Sequence, residues 1–305
     1  MVSVVITAYN VEKYIQECIQ SVLDQTYQDL ECIVVLDCPT DSTGPLVRNF
    51  DDPRIKIVEN KENVGPGLSR RYGLGHAYGE YSLLLDGDDY LKPTFIEDLY
   101  NKAKETDADI VSGGITVLKE NGEIKETLYG ECIITGNEKV TKFWGENIVF
   151  MNNKLIRNTL HQKIPYCHRR YIEDTPVIIP QLWLANKVAY VDNPGYIYRM
   201  NPDSLTHTSN MFKDIVFKGL CWCDLMDFFN KYDPTVFEAI DIKGYIVNTI
   251  RAINSMTFTT DMVREFPMEW AEFTYRLLNH ITVTNIAFKS KPLTPKTQEI
   301  SDPPF

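Results

Sequence analysis

The first ninety residues alternate between short apolar runs and segments in which apolar residues recur every three or four positions. A continuous β-branched run such as 2–7 is typical of a strand buried on both faces. The helical spacing over 11–23 is typical of an amphipathic helix, which Asn10 is expected to cap. The pattern predicts strands and helices in alternation: strands at 2–7, 31–36, 54–58 and up to 86, and helices at 11–23, after 44 and at 68–78. Such alternation indicates a mostly parallel sheet with helices on both faces.

Beyond residue 90 the pattern is more varied. A helix is expected from Pro93, a strand from Asp109, and a hairpin within 117–135 whose turn is Asn121-Gly122. Further elements are expected as a helix at 137–144, a helix after Asp174 and a strand at 187–191. From residue 210 onwards, apolar residues share one face of each of two helices: Phe217, Leu220, Cys221, Leu225, Phe228 and Phe229, then Trp270, Phe273, Leu277, Leu278 and Ile281. The Lys/Pro/Thr-rich segment from 289 is expected to be poorly ordered.

Charge and cysteine content narrow the class of protein. The 305 residues include 31 Lys and Arg against 42 Asp and Glu, a net charge of −11. That balance disfavours nucleic acid as a partner and broad docking on an anionic membrane. No CxxC pair occurs, and Cys18 and Cys32 lie on apolar faces, so buried free thiols in a reducing compartment are expected. With no signal-peptide pattern and no apolar run approaching ~20 residues, a cytoplasmic protein is expected.

Three carboxylates stand together where the fourth strand ends, in Asp86-Gly87-Asp88-Asp89. Adjacent like charges need neutralisation, and a hard divalent cation such as Mn²⁺ or Mg²⁺ suits carboxylate ligands. Ligands of open parallel sheets bind beyond the carboxyl ends of the strands, where Thr7, Tyr9 and Asp37 are also expected. The alternative interpretation is an acidic turn in a protein that is acidic throughout.

Several motifs in order resemble glycosyltransferase family 2, the inverting transferases with a GT-A fold. The matching segments are 2–10 (VSVVITAYN), 18–27 (CIQSVLDQTY), 80–89 (EYSLLLDGDD), Glu173-Asp174, and Tyr196-Ile197-Tyr198-Arg199 with Ser204. The resemblance covers roughly residues 1–205. It implies a catalytic domain at 1–208, with a nucleotide-binding half at 1–100 and an acceptor half at 101–208, then a helical region at 209–288 and a tail at 289–305.

The resemblance also implies roles for individual residues. A nucleotide-sugar donor, expected to be UDP-linked, would contact Thr7, Ala8, Tyr9, Asp37, Arg71, Asp86 and Gly87. The divalent cation would bind Asp88 and Asp86, and Asp89 would orient this cluster or the acceptor. Asp174, or alternatively Glu173, would be the base that removes the acceptor proton, and Arg199 would contact phosphate from a lid. The acceptor is expected to be a glycan or a lipid-linked glycan.

Two segments depart from the family pattern. The family usually has two aspartates followed by Gly-Ser where this chain has Leu36-Asp37-Cys38-Pro39. It usually has Ala-Arg-Asn-x-Gly near 70–73, where Arg71 is taken as the arginine position. These changes leave open a non-catalytic sugar-nucleotide-binding or scaffold protein. Docking of a membrane or of a second copy through the C-terminal helices is another open alternative, although packing on the main domain is simpler.

Other candidate sites are weaker. His161, Cys167 and His168 lack zinc-ligand spacing with a fourth partner, and Cys221 and Cys223 suit core packing. The paired glycines at 65–67 and 73–75 do not form a dinucleotide-binding fingerprint after a strand. A sugar nucleotidyltransferase would need a Gly-rich basic loop after the first strand, which 7–10 does not supply.

Overall fold

An eight-stranded sheet forms the centre of the described residues, which in this computed structural model are 1–136, 138–145, 150–164, 166, 172–201, 211–233, 235–236 and 267–283. The strands are β1 (Val2–Ala8), β2 (Leu30–Leu36), β3 (Ile55–Glu59), β4 (Tyr81–Asp86), β5 (Tyr90–Leu91), β6 (Ile110–Ser112), β7 (Ile115–Leu118), β8 (Ile124–Thr127), β9 (Ile133–Ile134), β10 (Lys154–Arg157), β11 (Val188–Tyr190) and β12 (Tyr196–Arg199). The helices are α1 (Ile15–Leu23), α2 (Thr43–Arg48), α3 (Pro66–Leu74), α4 (Phe95–Thr106), α5 (Glu138–Gly145), α6 (Asn158–His161), α7 (Thr175–Leu184), α8 (Met211–Tyr232) and α9 (Pro267–Val283).

The order of strands in the large sheet is β3-β2-β1-β4-β10-β6-β11-β9. The pairings β3–β2, β2–β1, β1–β4 and β6–β11 are parallel, so the predicted mostly parallel α/β sheet is confirmed. Strands β10 and β9 pair antiparallel to their neighbours. The sequence pattern did not predict β10, because this four-residue strand begins and ends with charged residues, Lys154 and Arg157.

Strand register brings the ends of β1, β2 and β4 to one edge of the sheet. Thr7 pairs with Asp86 across β1 and β4, and Ala8 pairs with Leu36 across β1 and β2. Asp37, directly after β2, therefore lies beside the end of β1, where its N–H donates to the Ala8 carbonyl at 3.0 Å. The expected shared edge is thus present in the fold.

Alternate residues of the central strands supply two apolar layers, one on each face of the sheet. One layer joins residues such as Val4 and Leu83 to α1 and α4. The other joins residues such as Val5 and Leu84 to α7 and α8. Helix α8 therefore contributes directly to the core of the sheet, in keeping with the simpler expectation of packing on the main domain.

Helix α9 packs on α8 through Phe273, which is 1% exposed. Burying a phenylalanine contributes about 1.5–3 kcal/mol, and Gly219 of α8 makes this contact possible because a Cβ there would overlap the Phe273 ring. The prediction that Leu278 shares the buried face is wrong, since 64% of its surface is exposed. The Ile281 side chain and the predicted tail at 289–305 lie outside the described residues.

Two local expectations about turns have different outcomes. The hairpin is confirmed: β7 and β8 pair antiparallel, and Gly122 in the turn has φ +80°, which glycine adopts without a side-chain clash. Asn10 does not cap α1, which begins at Ile15. Asn10 instead adopts φ 51°, and its Oδ1 accepts a hydrogen bond from the Thr40 N–H at 2.8 Å.

A second, four-stranded sheet has the order β5-β12-β7-β8 in the part of the chain that the structure describes. Its strand β12 runs past the carboxylates that follow β4 and so places residues 196–201 beside them.

Cys18 and Cys32 are buried, as expected. Among the helices that can be described, none combines the length and the apolar character needed to cross a bilayer.

Candidate functional site

Asp86, the last residue of β4, accepts hydrogen bonds from three elements. Arg70 Nη2 donates to Oδ1 at 2.9 Å, the Thr7 hydroxyl donates to Oδ1 at 3.2 Å, and Asn152 Nδ2 donates to Oδ2 at 2.6 Å. Burial alone would raise the pKa of Asp86, but the Arg70 charge and these hydrogen bonds hold it below its ordinary value. Asp86 is therefore a fixed carboxylate anion at the sheet edge.

Arg70 of α3 connects Asp86 to the second acidic motif. Its Nη1 donates to Glu173 Oε1 at 2.8 Å and to Asp174 Oδ1 at 2.7 Å, and only 5% of its side chain is exposed. One guanidinium thus joins two acidic motifs that are nearly ninety residues apart in the sequence.

Arg71, the predicted arginine of the site, lies elsewhere. It is exposed and lines a cavity of about 630 Å³ beside Asn60 and Tyr72. Arg70 and Gly73 lie on the helix face that packs on the sheet, where a Cβ on Gly73 would overlap Val5. Arg71, the next residue along the helix, points away from that face. The family spacing, with arginine three residues before glycine, also points to Arg70, so this spacing was the signal that could have found it.

The carboxylates of Asp89 and Asp88 differ in how many hydrogen bonds they accept. Asp89 is 1% exposed and accepts hydrogen bonds from the Tyr196 hydroxyl and from the Arg199 N–H at 2.9 Å. Asp88 accepts one from Asn201 Nδ2 at 3.2 Å, and no cationic side chain of the described residues pairs with it. Burial and then the charge of Asp86 raise the pKa of Asp88, so its ionised form is under-compensated.

Arg199, predicted to reach phosphate from a lid, is engaged within the fold. Its Nε donates to the Asp88 carbonyl at 3.0 Å, and its Nη2 pairs with Glu17 at 2.7 Å. The guanidinium also lies 4.9 Å from the centre of the Tyr14 ring and 5.2 Å from that of Tyr90. In this structure Arg199 fixes the loop that carries Asp88. Ser204, part of the same motif, lies outside the described residues.

The predicted nucleotide loop lies beside Asp86. Ala8 is buried, and 45% of the Tyr9 surface is exposed, which leaves its ring free to stack on a base. Gly87 is buried, and its N–H donates a hydrogen bond to the Thr7 carbonyl at 2.9 Å. A Cβ added to Gly87 would lie 2.9 Å from that same oxygen. A side chain at position 87 would therefore push this loop away from the sheet edge.

Asp37 is buried, and its carboxylate organises the loop before α3. It accepts hydrogen bonds from Asn60 Nδ2 at 2.8 Å and from the N–H groups of Val64 and Gly65, each at 2.9 Å. Cys38, which stands where the family usually has glycine, keeps the left-handed conformation with φ 52°. The substituted segment thus has, at Cys38, a left-handed conformation that glycine adopts readily.

Glu173 and Asp174 directly precede α7. Burial and mutual repulsion raise the pKa of Glu173, and burial raises that of Asp174 although Arg70 opposes the shift. The Asp174 side chain does not cap the helix, since it makes no capping hydrogen bond. The pair is therefore under-compensated in its doubly ionised form and favours sharing a proton.

The sequence pattern did not predict two further polar groups beside Asp86. Asn152 Nδ2 also donates to the Tyr196 hydroxyl at 3.2 Å, which links Asp86 to Asp89. Asn152 Oδ1 and Arg70 Nε are buried and lack hydrogen-bond partners among the described residues. An unpaired guanidinium N–H and amide oxygen beside a carboxylate form a polar site that an external ligand can complete.

The donor atoms near Asp88 suit a hard cation such as Mn²⁺ or Mg²⁺, because they are carboxylate oxygens. Within the described ranges no group of three or more His, Cys, Asp and Glu side chains is arranged to hold a metal ion. Any cation there would need further ligands from a bound substrate or water.

His161 is a core residue: its Nδ1 contacts the Tyr166 hydroxyl and Gln181 Nε2, and burial lowers its pKa to about 3. Cys167 and His168 lie outside the described residues.

Comparisons with known proteins agree on one family. The family model described as glycosyl transferase family 2 matches residues 3–170, more than half of the chain. Glycosyltransferase GlyG from Streptococcus pneumoniae is 28% identical over 269 residues, 83% of this chain and 86% of that protein. Succinoglycan biosynthesis protein ExoO from Rhizobium meliloti is 27% identical over 67% of this chain, which spans 62% of its length.

Solved structures support the same fold. The crystal structure of S. aureus TarS residues 1–349 in complex with UDP-GlcNAc superposes with a TM-score of 0.63 at 18% identity, over 92% of this chain and 83% of that one. The resemblance predicted from the motifs is confirmed. The chain belongs to glycosyltransferase family 2 and is a sugar-transferring enzyme with a GT-A fold.

Proposed function

We propose that this enzyme transfers a sugar, with inversion, from a UDP-linked donor to a hydroxyl of a glycan or lipid-linked glycan, with Mn²⁺ or Mg²⁺ at Asp88. The donor proposal rests on the loop of Thr7, Ala8 and Tyr9 beside Asp37 and Asp86, and on the neighbour whose complex contains UDP-GlcNAc. The single observation that carries it is the pair of buried unpartnered atoms beside Asp86, Arg70 Nε and Asn152 Oδ1. A nucleotide diphosphate supplies acceptors for the first, and ribose hydroxyls supply donors for the second.

The cation, when bound, would neutralise the negative charge that grows on the departing diphosphate. Asp88 is suited to hold it because Asn201 is its one described side-chain partner and no described cation pairs with it. Asp86 cannot turn freely, since Arg70, Thr7 and Asn152 occupy its carboxylate; we therefore give it the role of fixing the ribose side of the donor. Asp89 orients the cluster by binding Tyr196 and the Arg199 backbone.

Asp174 is proposed as the base on the opposite side of Arg70. Its carboxylate would accept the proton of the acceptor hydroxyl as that oxygen attacks the anomeric carbon from the face opposite the diphosphate. The raised pKa of the Glu173–Asp174 pair brings its titration nearer to neutral pH. Synthesis of a polysaccharide or lipid-linked glycan is proposed from the family and from relatives such as ExoO. The domain boundaries at 208 and 288 and the cytoplasmic location remain predictions.

A donor screen tests the proposal directly. Release of UDP from UDP-linked sugars is measured with Mn²⁺, Mg²⁺ or a chelator, for the natural chain and for Asp88→Asn. We expect divalent-dependent turnover that falls by about 10³-fold in the variant, since metal stabilisation of a leaving diphosphate is worth several kcal/mol. Asp24→Asn, an exposed carboxylate at the end of α1, is the matched control and keeps full activity. Chelator-resistant turnover, or an active Asp88→Asn enzyme, would refute the metal assignment. Nucleotide binding by calorimetry without turnover on any acceptor would instead favour the scaffold alternative.

A further inference from the structure

Ile172, directly before the Glu173–Asp174 pair, has an unusual backbone conformation. Its φ is 54°, in the left-handed region, where a side chain carries a steric penalty. The other non-glycine residues with positive φ in the described part of the chain are Asn10, Cys38 and Asp107. Asn and Asp adopt this conformation more readily than most residues, whereas a β-branched residue there is an outlier. Strain of this kind persists where the surrounding structure imposes it, and it is concentrated at functional sites.

The two residues that follow Ile172 have an arrangement that regular backbone does not give. Glu173 Oε1 and Asp174 Oδ1 accept hydrogen bonds from the same nitrogen, Arg70 Nη1, at 2.8 and 2.7 Å. Side chains of consecutive residues point to opposite faces of a strand, and on a helix they do not face each other. Asp174 already has helical backbone angles, φ −71° and ψ −50°. A change of chain direction just before the helix therefore lets both carboxylates reach one guanidinium.

Contacts on both sides hold the turn at Ile172. The Ile172 side chain is partly buried and packs against the apolar layer on the α7 side of the sheet. On the other side of the turn, the two carboxylates pair with Arg70, whose side chain is 5% exposed. Both contacts join the turn to distant parts of the chain, so tertiary structure imposes the left-handed conformation on a residue type that disfavours it.

We propose that Ile172 is a positioning residue, whose left-handed conformation turns Glu173 and Asp174 toward one nitrogen of Arg70 and so fixes the proposed base on the acceptor side of the site. The inference rests on the proposed transfer reaction, because it concerns the base of that reaction. It goes beyond that proposal because it assigns the placement of the base to the backbone of a residue that has no reactive group. A base held in this way has its orientation set before the acceptor binds, which is how positioning contributes to rate.

The test compares Ile172→Gly with Ile172→Ala. Both variants remove the apolar side chain, but glycine adopts a positive φ freely, whereas the alanine Cβ opposes it. If the conformation positions the base, kcat for transfer is higher in Ile172→Gly by about tenfold, because the Cβ penalty lowers the population of the left-handed turn. The donor KM stays the same in both, since Thr7 and Asn152 hold Asp86 independently of this turn. If Ile172 only fills space, alanine, which keeps more of the side chain, is the better replacement.

Asp107→Gly and Asp107→Ala are the matched control pair. Asp107 also has a left-handed backbone, with φ 51°, at the C-terminal end of α4, and 89% of its side chain is exposed. Exchanging alanine for glycine at this position changes the melting temperature and leaves kcat unchanged. An equal advantage of glycine over alanine in kcat at both positions would show that activity follows stability alone, and the inference would then be wrong.

A second readout does not depend on activity. The ¹⁵N–¹H signals of the Arg70 Nη1 group, assigned with Arg70→Lys, report whether its hydrogen bonds to the pair persist, because bonded N–H groups exchange slowly with water. We expect these signals at neutral pH in Ile172→Gly and expect their loss in Ile172→Ala. If these variants do not fold, Ile172→Asn and Ile172→Thr replace them, since both side chains are polar but Asn tolerates a positive φ.

The outcomes separate this inference from the proposed function. Equal kcat and equal Arg70 signals in Ile172→Gly and Ile172→Ala would overturn the positioning role. If the natural chain transfers no sugar to any acceptor, the proposed function fails, while the Arg70 signals still decide whether Ile172 positions the acidic pair.

Discussion

Asp86 and the Glu173–Asp174 pair contact the same guanidinium but respond to burial in opposite ways. Asp86 has one Arg70 nitrogen to itself and two further donors, from Thr7 and Asn152, and its pKa is lowered. Glu173 and Asp174 share the other nitrogen, and their pKa values are raised. Both regions are half-buried, so the supply of compensating donors, and not burial itself, decides the direction.

This difference separates two chemical roles. A carboxylate that stays ionised at every working pH suits a fixed contact to ribose or to a cation shell. A carboxylate pair that titrates nearer neutrality suits proton transfer, because a base works best with a pKa near the operating pH. In the proposed reaction, Arg70 therefore contacts both the donor side and the acceptor side of the site.

The largest expected effect comes from neutralising the proposed base. Asp174→Asn should lower kcat by about 10³-fold, within the range by which a general base accelerates proton transfer. Glu173→Gln should cost less than about tenfold, because the raised pKa of Glu173 favours its protonated form, which an amide imitates. Transfer assays at saturating donor measure both. The reverse order of effects would exchange the roles of the two residues, and equal effects would show that the pair acts as one unit.

Removal of the shared cation should destabilise the fold itself. Arg70→Met leaves three half-buried carboxylates without their buried partner, and breaking a buried ion pair in this way costs about 3–5 kcal/mol. Arg71→Met is the neighbouring control on the exposed side of α3 and should change the free energy of unfolding by less than about 0.5 kcal/mol. Urea unfolding at pH 7 measures both variants. Equal free energies of unfolding for the two variants would show that Arg70 does not stabilise the three carboxylates.

The contrast between Arg70 and Arg71 shows how far the sequence could lead. Runs such as Val2–Ala8 and the helical spacing of α1 depend on local pattern, so the alternation of strands and helices and the shared edge were predictable. Which of two adjacent arginines faces the carboxylates depends on where α3 begins, at Pro66, and one residue of error exchanges a buried side chain for an exposed one. Asn152 lies just before β10, a short strand with charged ends and no periodic pattern, and long-range pairing alone brings it to the site.

A smaller effect is expected from the Tyr196 hydroxyl, which contacts both Asp89 and Asn152. Tyr196→Phe removes the donor to Asp89 and a partner of Asn152 and leaves a buried carboxylate under-satisfied, at a cost of about 1–3 kcal/mol. Tyr78→Phe is the control, since 76% of the Tyr78 surface is exposed. Thermal melting compares the two. If Tyr196→Phe melts at the same temperature as its control, the Asp89 carboxylate does not need the Tyr196 hydroxyl. The proposal that Asp89 orients the cluster through Tyr196 would then be wrong.

The smallest effect concerns the sign of the pH dependence on the two sides of Arg70. Glu173 has an ordinary pKa of 4.5 and a raised one in the fold, so its ionised form destabilises the fold at pH values above that raised pKa and has no effect below 4.5. Glu173→Gln should therefore gain about 1 kcal/mol of stability relative to the natural chain as pH rises from 4.5 to 8. Asp86, whose pKa is lowered from 3.8, stabilises the fold above 3.8 and loses that contribution as pH falls further. The deficit of Asp86→Asn should accordingly stay constant over the first interval and shrink only in stronger acid. Urea unfolding in a pH series distinguishes the two profiles, and parallel profiles would mean that one guanidinium compensates both regions alike.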